Sequence, residues 1–283
     1  MTCRELYLLA RRRLGGAGVD SPGADAAALA QRFLGLDRAG LALHGEEAPP
    51  PQQEAAFLQA VEERAARRPL QYILGEWEFM GLPLAVGEGV LCPREDTAVL
   101  VEELARRLGE RPRPRGLDLC AGTGAVALGL RTLLPQAEVL CLELSDRAFP
   151  YLEENLRRHG KGLAAARKGD VLSPALAGEF VPGSLDFIAS NPPYIETGEL
   201  PGLQPEVRRE PALALDGGAD GLVFYRAIAR LWAPLVKPGG LVAVEIGENQ
   251  GPAVERLFQQ AGLTAVETAQ DWAGLDRVVS GFR

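Results

Sequence analysis

The sequence predicts an α/β protein whose larger part is a doubly wound, mostly parallel sheet, preceded by a small N-terminal helical bundle. Three observations carry this. Strand-like and helix-like patterns alternate from about residue 116 to residue 246, the order that builds parallel sheets through crossover helices. The run Leu117-Asp118-Leu119-Cys120-Ala121-Gly122-Thr123-Gly124 ends the first of these strands and opens a helix. The first 75 or so residues are instead rich in Ala, Leu, Arg and Glu, with apolar positions at helical spacing.

Composition narrows the classes. A chain of 283 residues suits two domains, and 47% hydrophobic with 24% charged residues is the balance of a folded globular protein. The formal net charge of -8 disfavours general attraction to nucleic-acid phosphate, and Arg11-Arg12-Arg13 and Arg106-Arg107 read as solvated helix faces. Cys3, Cys92, Cys120 and Cys141 are widely spaced without a C-x-x-C, which argues against a secreted disulfide framework and fits a reducing cytoplasm. No apolar run approaches ~18 residues and no signal-peptide order opens the chain, so neither membrane insertion nor secretion is expected. His44 and His159 stand alone, and no metal site is expected.

In the first region Leu6, Leu9, Ala10 and Leu14, and later Phe57, Leu58 and Val61, mark helical faces. Gly15-Gly16, Ser21-Pro22-Gly23 and Pro49-Pro50-Pro51 divide them, with Ser21 or Asp25 available to cap the second helix. From Trp77 to Cys92 short apolar pieces around Gly81 predict a β-hairpin connector. A helix over 96–108 follows, and Pro112-Arg113-Pro114 separates it from the alternating region. There the pattern predicts a strand over 116–120, a helix from Ala125, a strand over 138–144 and a helix over 146–159. Pro150 should delay or kink that helix. Strands over 164–168 and 185–190, a helix over 222–235, a strand over 241–246 and a helix over 252–261 complete the alternation. Two last strands, 263–268 and 277–282, are joined without a helix and predict an antiparallel pair at one sheet edge.

Chemistry concentrates at the strand ends. Gly122 and Gly124 let backbone approach a ligand, and the helix that follows offers free N–H groups. Glu143 ends the next strand at close to the ~20-residue spacing at which a carboxylate meets ribose hydroxyls. Asp170 follows the third strand, where it can accept from an adenine amino group. Gly122-x-Gly124-x-x-Ala127 also matches the dinucleotide fingerprint, so this loop alone leaves NAD and S-adenosylmethionine both open. Cys120, with no His near it in sequence, reads as a small buried residue rather than a nucleophile.

The strand over 185–190 delivers Asn191-Pro192-Pro193-Tyr194 to the same end of the sheet. The prolines fix φ and donate nothing, so the Asn191 side chain and the Pro192 carbonyl can form a fixed pair of acceptors. A planar –NH2 group carries two donors that fit such a pair, and Tyr194 could pack on that group. The motif resembles the one in methyltransferases acting on planar nitrogens, whether adenine amines or glutamine amides.

Three further segments make the resemblance specific: Pro69-Leu70-Gln71-Tyr72-Ile73-Leu74-Gly75, Leu91-Cys92-Pro93-Arg94-Glu95-Asp96-Thr97, and Arg208-Arg209-Glu210-Pro211-Ala212-Leu213-Ala214-Leu215. With Gly239-Gly240, Glu245-Ile246-Gly247, Gln250 and Asp276-Arg277-Val278-Val279, the chain from about Pro69 to Arg283 resembles the protein-(glutamine-N5) methyltransferase family that modifies peptide chain release factors. That resemblance implies a seven-stranded class I S-adenosylmethionine-dependent methyltransferase sheet with an antiparallel edge strand. It implies a helical substrate-docking domain at 1–75, a β-hairpin linker at 76–92 and a catalytic domain at 93–283. It also implies that the glutamine of a Gly-Gly-Gln loop in class 1 release factors is the substrate, with no nucleic-acid or membrane partner, and a monomer is expected. Cys120, Ala121, Gly122, Thr123 and Gly124 would hold the methionine part of the cofactor, Glu143 the ribose, Asp170 and Val171 the adenine surroundings. Asn191, Pro192, Pro193 and Tyr194 would hold the glutamine, with Asn191 also beside the cofactor and Asn191 and Pro192 as the catalytic pair. The chain departs from the family in Cys120, where Gly is common, and in Ala98, where Glu is common. Pro93-Arg94 and Arg208-Arg209 receive no catalytic role. The rival readings are an adenine-amino methyltransferase of DNA or RNA, disfavoured by the acidic balance, and a non-catalytic cofactor-binding module.

Overall fold

A computed structural model describes residues 1–283, which divide into two units: Met1–Glu76 with Gln204–Arg209, and Trp77–Leu203 with Glu210–Arg283. The first unit contains α1 (Cys3–Gly16), α2 (Pro22–Leu34), α3 (Arg38–His44), α4 (Pro51–Ala65) and α5 (Leu70–Leu74). Thr2 and Glu5 form a reciprocal capping box on α1, Gly35 at φ 72° stops α2, and Pro51 opens α4. Leu6, Ala10 and Leu14 of α1 and Phe57 and Val61 of α4 are fully buried, as their spacing predicts, and Leu29 of α2 joins them; Leu9, by contrast, is only half-buried.

Neither residue proposed as the cap of α2 acts as one. Ser21 occupies the cap position without a side-chain hydrogen bond, and Asp25 is buried, accepting from Arg64 Nε at 2.7 Å. Arg64 Nη1 and Arg67 Nη2 each donate to one oxygen of Glu206, both at 2.7 Å. This buried pairing explains why a short later segment, Gln204–Arg209, belongs with the helices rather than with its neighbours in sequence. No local pattern announces such a link.

The second unit begins with a hairpin, β1 (Glu76–Phe79) and β2 (Leu82–Ala85), turned at Met80 and Gly81, both at positive φ. α6 (Thr97–Leu108) leads into β3 (Arg115–Leu119), α7 (Ala125–Leu133), β4 (Glu138–Glu143), α8 (Phe149–His159), β5 (Ala164–Lys168), α9 (Pro174–Ala177) and β6 (Leu185–Ser190). α10 (Val223–Ala227), β7 (Val236–Glu245), α11 (Gly251–Gln260), β8 (Thr264–Gln270) and β9 (Asp276–Phe282) complete it. The late start expected from Pro150 is found, with α8 opening at Phe149 and Pro150 in its first turn.

Two elements differ from the sequence reading. The single helix expected over 222–235 is composite: α10 runs into a π-helical turn at Ile228–Trp232 and a 3-10 turn at Ala233–Leu235, where Pro234 removes a donor that a regular helix would use. β7 starts five residues earlier than expected, at Val236, which pairs with Leu185 across a bulge.

The seven strands lie in the order β5-β4-β3-β6-β7-β9-β8. β5, β4, β3, β6 and β7 are mutually parallel. The antiparallel pair expected at one edge is present: β8 is the edge strand, and β9, reversed against both neighbours, lies between it and β7. Alternate residues feed two cores. Val139, Cys141, Phe187, Ala189, Leu241 and Ala243 face the layer of α6, α7 and α8, while Leu142, Ile188, Val242 and Val244 face the side that carries Tyr225, Trp232 and Phe258. At Gly116 β3 and β6 leave no room for a side chain: a Cβ there would lie 2.4 Å from the Phe187 carbonyl oxygen. No helix is long and apolar enough to cross a membrane.

Candidate active site

β4 pairs on one side of β3 and β6 on the other, so the chain reverses its strand order at β3. In open α/β sheets ligands bind outside the carboxyl ends of strands at such a point. A cleft of about 910 Å³, measured out to its open mouth, lies there.

Its floor is the turn after β3. Cys120 stands at φ 61°, Gly122 at 55° and Gly124 at 80°, so the turn is built in the left-handed region that glycine adopts without strain and cysteine does not. Ala121 N–H is held by the Leu142 carbonyl at 2.9 Å and Gly122 N–H by Glu143 Oε2 at 2.8 Å, while Glu143 Oε1 accepts from Ser145 N–H at 2.7 Å. Glu143 is thereby fixed at the cleft with lone pairs remaining on both oxygens. Beneath the turn, Asp118 accepts from Ala127 N–H at 3.1 Å in the first turn of α7, and its other oxygen has no partner. Burial, more than Glu143 nearby, pushes the Asp118 carboxyl up to about 7. Burial likewise pushes the Cys120 thiol up, which keeps it protonated and a poor nucleophile.

Asp170 and Val171 follow β5 on the same rim. Asp170 Oδ1 accepts from Leu172 N–H at 2.8 Å, and Val171 is buried with its carbonyl taken by the Trp232 indole at 2.8 Å.

The opposite wall is the segment after β6. The Asn191 carboxamide donates through Nδ2 to Thr97 Oγ1 at 3.1 Å, which leaves Oδ1 as its free acceptor. Gln250 holds the far end of the segment, accepting from Gly247 N–H at 2.9 Å and donating to the Tyr194 carbonyl at 2.9 Å. Burial, followed by the charge of Glu245, pushes the Tyr194 phenol up to about 12, so it is neutral.

Cys120, Ala121, Gly122, Thr123, Glu143, Asp170, Val171, Asn191 and Pro193 all line the cleft. Gly124, Pro192 and Tyr194 do not. Gly124 faces α8, where a Cβ would meet Leu152 at 2.9 Å, so its part is packing beneath the turn. Tyr194 is partly buried and packs on the core that contains Tyr225 and Trp232.

The sequence reading assigned no role to several residues that also line the cleft: Val90 and Leu91 after the hairpin, Thr97, Leu213, Ala214 and Phe224. Leu91, Thr97, Leu213 and Ala214 fall in the segments quoted above, whereas Val90 and Phe224 carried no signal of their own. Glu210 unites two of those segments: it is buried, accepts from Cys92 N–H at 3.0 Å and pairs with Arg94. Arg94 is therefore one half of an ion pair at the cleft wall, not a free surface charge.

Comparison with known proteins agrees with this geometry. Residues 5–75 match the family described as PrmC N-terminal domain, and residues 93–203 the family described as methyltransferase small domain. The chain is 42% identical to the release factor glutamine methyltransferase of Moorella thermoacetica over all of this chain and 99% of that one. It is 41% identical to the protein of the same name from Geobacter sulfurreducens, over 99% of this chain and 96% of that one. The crystal structure of a methyltransferase from Pyrococcus furiosus, 16% identical, shares the fold with a TM-score of 0.51 over 81% of this chain and 97% of that one. Full-length identity at this level, with both family matches in register, makes the chain a member of the release factor glutamine methyltransferase family.

Proposed function

We propose that this cleft transfers a methyl group from S-adenosylmethionine to the side-chain amide nitrogen of the glutamine in the Gly-Gly-Gln motif of class 1 release factors, in the cytoplasm, as a monomer, and so supports translation termination. The observation that carries the reading is the tethered carboxamide of Asn191: with one N–H of its –NH2 given to Thr97, its Oδ1 remains as an acceptor for whatever enters.

The residues present fit the cofactor. The turn over 120–124 leaves room against backbone, Glu143 presents an anchored carboxylate for paired hydroxyls, and Asp170 and Val171 form a rim with one acceptor and one apolar surface. The cofactor supplies an electrophilic methyl group on a sulfonium. An amide nitrogen is a poor nucleophile because its lone pair is delocalised into the carbonyl. We assign acceptance of its two N–H bonds to Asn191 Oδ1 and to the backbone carbonyl of Pro192, which lies between the cleft-lining Asn191 and Pro193; this orients the nitrogen and raises its electron density at the moment of attack. Neutral Tyr194 is not a base, so the amide proton leaves through these acceptors or water.

We assign the helical unit to docking of the intact release factor, since a short Gly-Gly-Gln segment offers little area for selecting one glutamine. Hydrogen exchange would test this: residues 1–75 should gain protection with whole release factor and none with a Gly-Gly-Gln peptide. The main experiment offers labelled S-adenosylmethionine with release factor, a release factor whose Gly-Gly-Gln glutamine is replaced by alanine, DNA and RNA side by side. Label should enter the first alone. Label in nucleic acid would favour the adenine-amino alternative and overturn this assignment.

A further inference from the structure

Trp272 is 93% exposed, whereas Trp232 is fully buried. The turn over 271–275 that holds Trp272 in water, between β8 and β9, is rigidly built. Asp271 Oδ1 accepts from Ala273 N–H at 2.9 Å and from Leu275 N–H at 3.0 Å, and its Oδ2 accepts from Arg277 Nη2 at 2.9 Å. Its backbone N–H donates to the Leu275 carbonyl at 2.9 Å and its carbonyl accepts from Gly274 N–H at 3.0 Å. Gly274 at φ 79° completes the reversal. Leu275, 41% exposed, is a second apolar group on the same turn.

This turn stands at the edge of the sheet that carries the cleft. Val244 of β7 pairs with Ser190 of β6 on one side and with Val279 of β9 on the other, so Asn191 leaves β6 level with Val278 of β9, with β7 between them. Two strand spacings make about 10 Å, and the turn ends three residues before Val278, which puts it within roughly 20 Å of the Asn191 acceptor. Arg277, which holds Asp271, also pairs with Asp96 at 3.6 Å, the residue before Thr97 of the cleft wall. A protein interface of ordinary size covers about 800 Å² per partner, roughly 30 Å across, so a protein whose glutamine enters the cleft also reaches this turn.

We propose that Trp272 is a docking anchor of the catalytic unit, seated during turnover in an apolar recess of the release factor beside its Gly-Gly-Gln loop. This rests on the substrate reading given above. Tryptophan is among the side chains most enriched where a few residues dominate binding, and a turn already held rigid loses little freedom when it is covered. The indole N–H supplies one donor to the rim of such a recess. Trp272 lies outside the cleft lining, so it acts on capture of the protein and not on methyl transfer.

The test combines kinetics on intact release factor with 19F NMR of protein labelled with 5-fluorotryptophan. The three tryptophans, Trp77, Trp232 and Trp272, give three signals, and Trp272→Phe identifies one of them by its loss. Trp272→Ala changes a side chain that packs on little, so it should fold with unchanged Tm and cofactor affinity. It should raise KM for release factor about 30-fold and leave kcat at saturation within twofold, and Trp272→Phe should recover most of the loss. The Trp272 signal should shift as release factor is added. Wild-type KM in Trp272→Ala, a loss confined to kcat, or a Trp272 signal unmoved at saturating release factor overturns the inference. A signal that moves with protein concentration alone, together with dimers in sedimentation, gives the indole to a second copy of this chain and overturns it too. If the wild type transfers no methyl group to release factor, the substrate reading fails instead, before any variant is compared.

Discussion

The two loops that meet in the cleft are held in opposite ways. The turn over 120–124 is fixed from nearby: its N–H groups are taken by Leu142 and Glu143 of the adjacent strand, and its shape comes from residues at positive φ within the turn itself. The segment over 191–194 is fixed from afar, by Thr97, 94 positions away, and by Gln250, 56 positions away. A turn shaped by its own backbone and tethered by one neighbouring carboxylate tolerates changes in its own side chains. An acceptor built from one side chain and aimed by others does not.

The largest effect should follow from removing the acceptor itself. We expect Asn191→Ala to lower kcat by about 10²–10³-fold, the range for deleting one preorganised hydrogen-bonding group at a reacting centre, while cofactor affinity by calorimetry falls much less. Undiminished turnover would remove Asn191 from the mechanism. On the other loop, Glu143→Ala should act on binding: losing a carboxylate aimed at two hydroxyls, and freeing the Gly122 and Ser145 N–H groups, should weaken cofactor affinity about 10–100-fold. If saturating cofactor failed to restore kcat to within a few-fold, Glu143 would belong to the chemistry and the contrast between the loops would blur.

A subtler break tests the remote tether. Gln250→Ala deletes the donor to the Tyr194 carbonyl without touching the cleft lining, and should lower kcat about tenfold with cofactor affinity unchanged. Equal rates in wild type and variant would mean that the prolines alone hold the segment.

The same contrast explains what could be read from the chain. The alternation of strands and helices, the glycine turn, Glu143 and Asp170 were legible because each depends on local period or on spacing within one strand-helix unit. The Asn-Pro-Pro-Tyr segment was legible as an acceptor, but not the direction in which Asn191 points, since Thr97 comes from α6 and no spacing connects the two. Tyr194 was legible as an aromatic beside the acceptors, but not its packing on the core around Tyr225 and Trp232, which come from segments more than 30 residues later. The pairing of Glu206 with Arg64 and Arg67 was hidden for the same reason as Thr97: it joins segments about 140 residues apart that carry no pattern of their own.

The smallest expected effect lies at Cys120, where this chain carries a side chain at a left-handed position. Replacing it by glycine would relieve roughly 1–2 kcal/mol of backbone strain. Against that stand roughly 0.5–1 kcal/mol of extra chain entropy lost on folding and about 0.8 kcal/mol for the buried CH₂ removed. The opposing contributions nearly cancel, so Cys120→Gly should move Tm by no more than about 3 °C in either direction. Cofactor affinity should stay within a few-fold, because the turn's held N–H groups belong to Ala121 and Gly122 and not to the thiol. Iodoacetamide should leave wild-type activity intact, since burial keeps the thiol protonated. A large loss of cofactor affinity in Cys120→Gly would show that the sulfur shapes the site, and the turn would then depend, like the acceptor segment, on side chains of its own.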